Sequence, residues 1–97
     1  MRRLEFHPEA QAEFIAAARF FEAEAEGLGL DFIKIVQRAS LQLLQFPHSG
    51  RPVSRRLRRL LVPRFFYGLL YRVETDRIFI VAVAHPSRRP GYWRSRV

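Results

Sequence analysis

The seven residues Ile78 to Ala84 (IFIVAVA) are apolar at every position. Side chains alternate between the two faces of a strand, so a strand with no polar face has to be covered on both. The run therefore predicts the covered central strand of a sheet, and the rest of the chain has to supply what covers it. Glu74 to Arg77 (ETDR) before it reads as a hairpin turn, and Phe65 to Val73 as the strand that pairs back across that turn. Leu57 to Leu61 predicts a further strand. Pro63 lies between the two and demands an edge or a bulge, because proline cannot donate to a ladder.

Upstream the period changes from two to nearly four. Arg3 to Phe6 reads as a short first strand, and His7-Pro8 as a helix start, proline being at home in the first helical position. Between Glu9 and Ala25, Phe14, Ala18, Phe21 and Ala25 share one helical face that Ile15 widens; Glu13, Glu22, Glu24 and Glu26 fall on the solvated side. Gly27-Leu28-Gly29 predicts the left-handed cap that ends this helix. A second helix from about Leu30 to Phe46 places Phe32, Val36, Ala39, Leu43 and Phe46 on one face, and Pro47 stops it. So short a link predicts an antiparallel helical hairpin. Pro47 to Ser54 is a turn-rich loop. The order β-α-α-β-β-β predicts an α+β fold, a helical hairpin packed on a small antiparallel sheet.

Ninety-seven residues suit one domain, residues 1–97, and the nine phenylalanines and 48% apolar content can fill one core. There is no cysteine, which excludes disulfides and thiolate metal sites and fits a reducing cytosol. No apolar run approaches a membrane span, and the N-terminus lacks the apolar stretch of a signal peptide, so the expected location is the cytoplasm.

Charge is unevenly distributed. Residues 1–31 hold three basic and seven acidic side chains, while residues 32–97 hold fourteen basic and two acidic. Sixteen of the seventeen basic residues are arginine, a side chain suited to bidentate contact with phosphate or carboxylate and to stacking on rings. Such a concentration steers anionic partners to part of the surface. There is no phosphate-binding glycine loop, no metal-ligand spacing and no nucleophile elbow, so neither cofactor nor metal is expected. What remains is a basic, aromatic constellation: Arg55, Arg56, Arg58 and Arg59; Arg64-Phe65-Phe66-Tyr67 and Tyr71; His85; and the tail with Arg88, Arg89, Tyr92, Trp93, Arg94 and Arg96. Counting outward from the 74–77 turn places Arg64 opposite residue 86 or 87, close to His85 and the tail.

The chain resembles the RelE/ParE superfamily of type II toxins, often called plasmid stabilisation proteins. The likeness runs through Phe6-His7-Pro8-Glu9-Ala10, Phe20-Phe21-Glu22, Gly27-Leu28-Gly29-Leu30-Asp31-Phe32 and the loop Phe46 to Pro52 (FPHSGRP). It continues through Arg64 to Tyr67, Leu70-Tyr71-Arg72-Val73 and Val83 to Trp93 (VAHPSRRPGYW). The resemblance implies a toxin neutralised by a cognate antitoxin, ParD-like or RelB-like, in a hetero-oligomer with no membrane involvement. RelE-like members cut messenger RNA on the ribosome; ParE-like members poison DNA gyrase without nuclease chemistry.

RNA cleavage through the 2′-hydroxyl needs a base, cations for the phosphorane and an acid for the leaving oxygen. Under that branch Arg64, His85, Arg88 and Tyr92 are the catalytic candidates. Each also has a plainer reading: Arg64 as an exposed strand arginine, His85 as a strand-end histidine bonded to backbone, and Tyr92 and Trp93 as rings that fold the tail onto the sheet. Arg88, Arg89, Arg94 and Arg96 could be a solvated charge run. The single lysine, Lys34, lies in the second helix, and the wording of the arginine segments favours the ParE-like branch. The target- or antitoxin-binding surface expected on that branch is Arg55, Arg56, Arg58, Arg59, Arg64, Arg88, Arg89, Tyr92, Trp93 and Arg94. The alternatives are a RelE-like ribosome-dependent mRNA endonuclease and a non-toxic partner-binding module.

Overall fold

The computed structural model describes residues 2–97. Strand β1 (Arg3–Phe6) leads into helices α1 (Pro8–Glu24) and α2 (Leu28–Gln45). Strands β2 (Arg51–Pro52), β3 (Arg58–Leu61), β4 (Gly68–Val73) and β5 (Arg77–Ala84) follow, and a single 3-10 turn (Arg94–Arg96) closes the chain. The sheet order is β1-β5-β4-β3-β2. The order of elements matches the expectation with one addition, the two-residue β2 inside the expected 47–54 loop, but the sheet is mixed: β1 pairs with β5 in parallel, Arg3 opposite Arg77 and Phe6 opposite Ile80. The hairpin of α1 and α2 turns the chain back so that β1 and β5 run the same way. The Arg3 amide donates to the Asp76 carbonyl at 3.1 Å and the His7 amide to the Ile80 carbonyl at 2.8 Å, which sets where that pairing begins and ends.

His7 caps α1, its Nδ1 accepting from the Glu9 amide at 3.1 Å, with Pro8 first in the helix. The 27–29 turn differs from expectation in detail. Helix α1 ends on an extended Ala25, and the left-handed residue Gly27 (φ 85°) opens α2 instead of closing α1. Glu22 is no bystander here. Its carboxylate accepts from the amides of Gly27 and Gly29, both at 3.0 Å, and so satisfies donors that the start of α2 leaves without partners. On the hairpin's inner face Ala10, Ala17, Phe32, Val36, Ala39 and Leu43 are buried, with Phe14 and Phe21 packed against them. Ile15 and Phe46, expected on that face, are exposed.

The apolar run of β5 is covered on both faces, and a β-bulge decides how. Leu70 pairs with Ala82 but Tyr71 with Ile80, so Val81 is the extra residue and side-chain parity flips there. Ile78, Ile80 and Val83 join the helix-side core, while Phe79, Val81, Ala82 and Ala84 join a second cluster with Leu57, Leu70 and Trp93.

Residues 62–67 are not strand. Val62 donates to the Tyr67 carbonyl at 2.7 Å and Phe66 to the Val62 carbonyl at 3.0 Å, closing a tight turn between β3 and β4. Arg64 (φ 70°) and Phe66 (φ 60°) take left-handed conformations there. Pro63 ends the ladder, and the chain reverses so that Leu61 meets Gly68.

Candidate functional site

The cover on the far side of the sheet, away from the helices, is built from two irregular segments. The first, residues 53–57, is anchored by Leu57, which is buried. Its base is held from the helix side. The buried Tyr71 hydroxyl donates to the Pro47 carbonyl at 2.7 Å and accepts from the Gly50 amide at 2.9 Å. Arg58 then reaches the carbonyls of Gly50 (2.7 Å) and His48 (3.2 Å). The second segment is the tail, which lays Trp93, only 9% exposed, against Leu70, Val81 and Ala82.

Glu13 of α1 fixes the tail. Its carboxylate accepts from the Tyr92 hydroxyl at 2.8 Å, from both Arg96 Nη atoms at 2.8 and 3.0 Å, and from the Val83 amide at 3.0 Å. Arg96 also donates to the Val81 carbonyl at 3.1 Å. Strand β1 pairs only as far as Ile80, so Val81 and Val83 would otherwise leave polar backbone groups unpaired along that edge. The expectation of a solvated Glu13 is thus overturned. Burial pushes its carboxyl up, but the bonds from Arg96, Tyr92 and Val83 outweigh it and hold the group below the usual carboxylate range. The Tyr92 phenol moves the other way, raised by burial first and by Glu13 second.

Between and around the two segments three clefts lie in a row. One of about 650 Å³ has Arg55, Arg56, Arg58 and Arg72 in its walls, with Glu74 as its carboxylate. The next, about 520 Å³, shares Arg55, Arg56 and Arg72 and adds Arg94. The third, about 240 Å³, shares Val53 and Trp93 with the second and adds Arg59, Arg88 and Arg89. Eight arginines thus meet one acid, and that acid is occupied. Glu74 accepts from the Nε atoms of Arg77 and Arg72, both at 2.6 Å, which hold its carboxyl low. Two glycines make room for the cations. A Cβ on Gly68 would stand 2.8 Å from Arg59 Nε, and one on Gly91 (φ 81°) would stand 2.9 Å from the Arg94 guanidinium carbon.

Of the sequence-predicted surface, Arg55, Arg56, Arg58, Arg59, Arg88, Arg89, Tyr92, Trp93 and Arg94 come together on this face. Arg64 does not. Its guanidinium lies 3.3 Å from Asp31 of α2 and over the Phe65 ring, because the 62–67 turn carries it to the helix side. The partner it was expected to have, His85, meets Tyr67 instead, ring edge to face at 5.3 Å. His85 Nδ1 accepts from the Ser87 amide at 2.9 Å, the backbone-bonded strand-end role, and a neutral imidazole that accepts there carries its proton on Nε2. Arg88 stacks on Tyr92 at 3.8 Å. Arg96, read as part of a charge run, is an internal strut whose side chain is 8% exposed. Arg72 was missed, although its place opposite Phe79 across the hairpin follows from the period of two.

The family described as the ParE toxin of type II toxin-antitoxin system, parDE, matches residues 4–90. The chain belongs to this family. Among solved structures, a chain titled "Chromosomal ParDE TA system from P. aeruginosa" superposes with a TM-score of 0.73 at 19% identity, over 88% of this chain and 96% of that one. At that identity the likeness is one of fold. No curated protein matches the sequence. As a ParE-family protein the chain is a type II toxin component, and the family implies an antitoxin partner. Residues 91–97, with Tyr92, Trp93, Arg94 and Arg96, lie beyond the matched region. No helix among the described residues is long and apolar enough to cross a membrane.

Proposed function

We propose that this ParE-family toxin acts by inhibiting DNA gyrase, that a cognate antitoxin neutralises it, and that the arginine-lined face is the surface it offers to its target or antitoxin. The observation that carries this reading is that face: eight arginines in three joined clefts, with Glu74 the one acid in their walls. A surface of this kind attracts an anionic partner and fixes its orientation more than it performs bond chemistry.

The arrangement of the RNA-cleavage candidates also favours binding over hydrolysis. A general base has to be free to take a proton at neutral pH. Tyr92 donates to Glu13 with its phenol shifted away from ionisation, and the accepting nitrogen of His85 is occupied by Ser87. Arg64 is tied to Asp31, away from both.

Purified toxin is expected to block gyrase supercoiling of relaxed plasmid and to leave ribosome-bound message intact. Induced expression is expected to arrest growth, and co-expression of the adjacent reading frame to relieve the arrest. Codon-position cleavage on ribosomes that is lost in Arg64→Ala or Tyr92→Phe would overturn the gyrase reading in favour of the endonuclease. Absence of any growth effect would leave the partner-binding module.

A further inference from the structure

We propose that the arginine-lined face binds the phosphate backbone of duplex DNA directly and without reading its sequence. This goes beyond the gyrase reading and does not depend on it, since the contact is made by the toxin alone.

Charge and pairing come first. Arg55, Arg56, Arg59, Arg89 and Arg94 are exposed, and among the described residues none of them has a carboxylate within ion-pair distance. Guanidinium groups in this state are weakly hydrated and present paired donors that match a phosphate's oxygens. By contrast, Arg3, Arg64, Arg72, Arg77 and Arg96 are all bonded to acids. Of the eleven arginines without an acid partner among the described residues, seven line the three clefts; Arg2, Arg19, Arg38 and Arg51 lie outside them.

Shape selects among polyanions. Single-stranded nucleic acid is held by stacking bases on exposed rings as well as by charge. This face offers no exposed phenylalanine, tyrosine or tryptophan among the described residues, since Trp93 is 9% exposed and Tyr92 lies under Arg88; its exposed rings are the smaller imidazoles of His48 and His85. The exposed aromatic side chains, Phe20, Phe46 and Phe66, belong to the helix ends and the 62–67 turn. Cations without such rings suit a duplex whose bases stay stacked. The three clefts join through shared lining residues, Arg55, Arg56 and Arg72 between the first two and Val53 and Trp93 between the second and third, so their arginines can meet several successive phosphates.

The test is fluorescence anisotropy of a labelled 20-base-pair duplex titrated with the full chain at increasing KCl. Binding is expected for two unrelated sequences with equal affinity. The log–log salt slope should be about −4, near −0.9 for each phosphate neutralised. The Arg55→Ala/Arg56→Ala double variant should flatten that slope by about 2 and weaken binding at least tenfold at low salt. Among the described residues the Arg55 and Arg56 side chains have no ion-pair or hydrogen-bond partner, so the thermal melt of this variant should match the parent. An Arg19→Ala/Arg38→Ala variant removes equal charge from the helices and should change the slope by less than about 0.5. Three results would each overturn the proposal: no binding at 50 mM salt, equal losses in both variants, or tighter binding to polyglutamate or single-stranded RNA than to the duplex. The assay contains no gyrase, so its failure leaves the gyrase reading standing.

Discussion

On the helix side of the sheet, Phe14, Phe21, Phe32, Phe65 and Tyr67 interlock with ring centroids 4.7–5.9 Å apart. On the other side a strip of Leu57, Leu70, Val81, Ala82 and Trp93 is roofed by irregular chain whose outer surface is arginine. The two faces share strands β4 and β5, yet the first is closed by regular helices and the second by a loop and a tail. Aromatic interlocking contributes stability, and the interlocked rings themselves face one another. A thin apolar strip under a loop and tail contributes less, but lets the chain display cations that would repel one another in a core. On the proposed function, fold and recognition are divided between two sides of one sheet, joined at Glu13, which reaches from α1 to the tail.

If that division holds, the largest loss of stability comes from the helix side. Phe32 is fully buried and touches four other rings, so Phe32→Ala should cost about 4 kcal/mol in denaturant unfolding. A cost near that of a surface change would break the comparison.

Next comes the joint. Glu13→Gln leaves the largely buried Arg96 with only the exposed Glu9 carboxylate, 3.4 Å away, as countercharge and should cost about 2 kcal/mol, less than for a fully buried pair because Glu13 keeps some contact with water. The pH dependence has a definite sign. Glu13's folded value is depressed, so its contribution is complete above the ordinary carboxylate value of about 4.3 and fades as pH falls through the lower folded value. The stability gap between parent and Glu13→Gln should therefore close in acid, and a gap that widened there would contradict the assignment.

Tyr71→Phe deprives the Gly50 amide of its acceptor and the Pro47 carbonyl of its donor. A loss of about 1.5 kcal/mol is expected, with faster exchange of the Gly50 amide. Smallest is Gly68→Ala. Its methyl would displace the flexible end of Arg59, so stability should change by less than about 1 kcal/mol while growth arrest weakens.

The helix side was the more legible of the two in the sequence. The spacing of Phe32, Val36, Ala39 and Leu43 marks their common face, and IFIVAVA marks a strand covered twice. Parallel pairing of β1 was not legible, because four residues carry no local signal for a partner more than seventy positions away. Arg64 was misplaced because counting pairs back from the 74–77 turn assumes an unbroken ladder, and both the bulge at Val81 and the 62–67 reversal break it. Glu13 was passed over as a solvated acid, although it stands three residues after Ala10 and four before Ala17, beside the buried stripe. The clustering of arginine was visible in composition, but which arginines remain unpaired depends on where Glu13, Asp31 and Glu74 end up.

The division of labour is tested most directly by measuring growth arrest and melting temperature together for Arg55→Ala/Arg56→Ala. The account predicts a melting point within about 3 °C of the parent and loss of the arrest, because these side chains face a partner and hold nothing in place. An unchanged arrest, or a melting point that falls as far as that of Phe32→Ala, would contradict it.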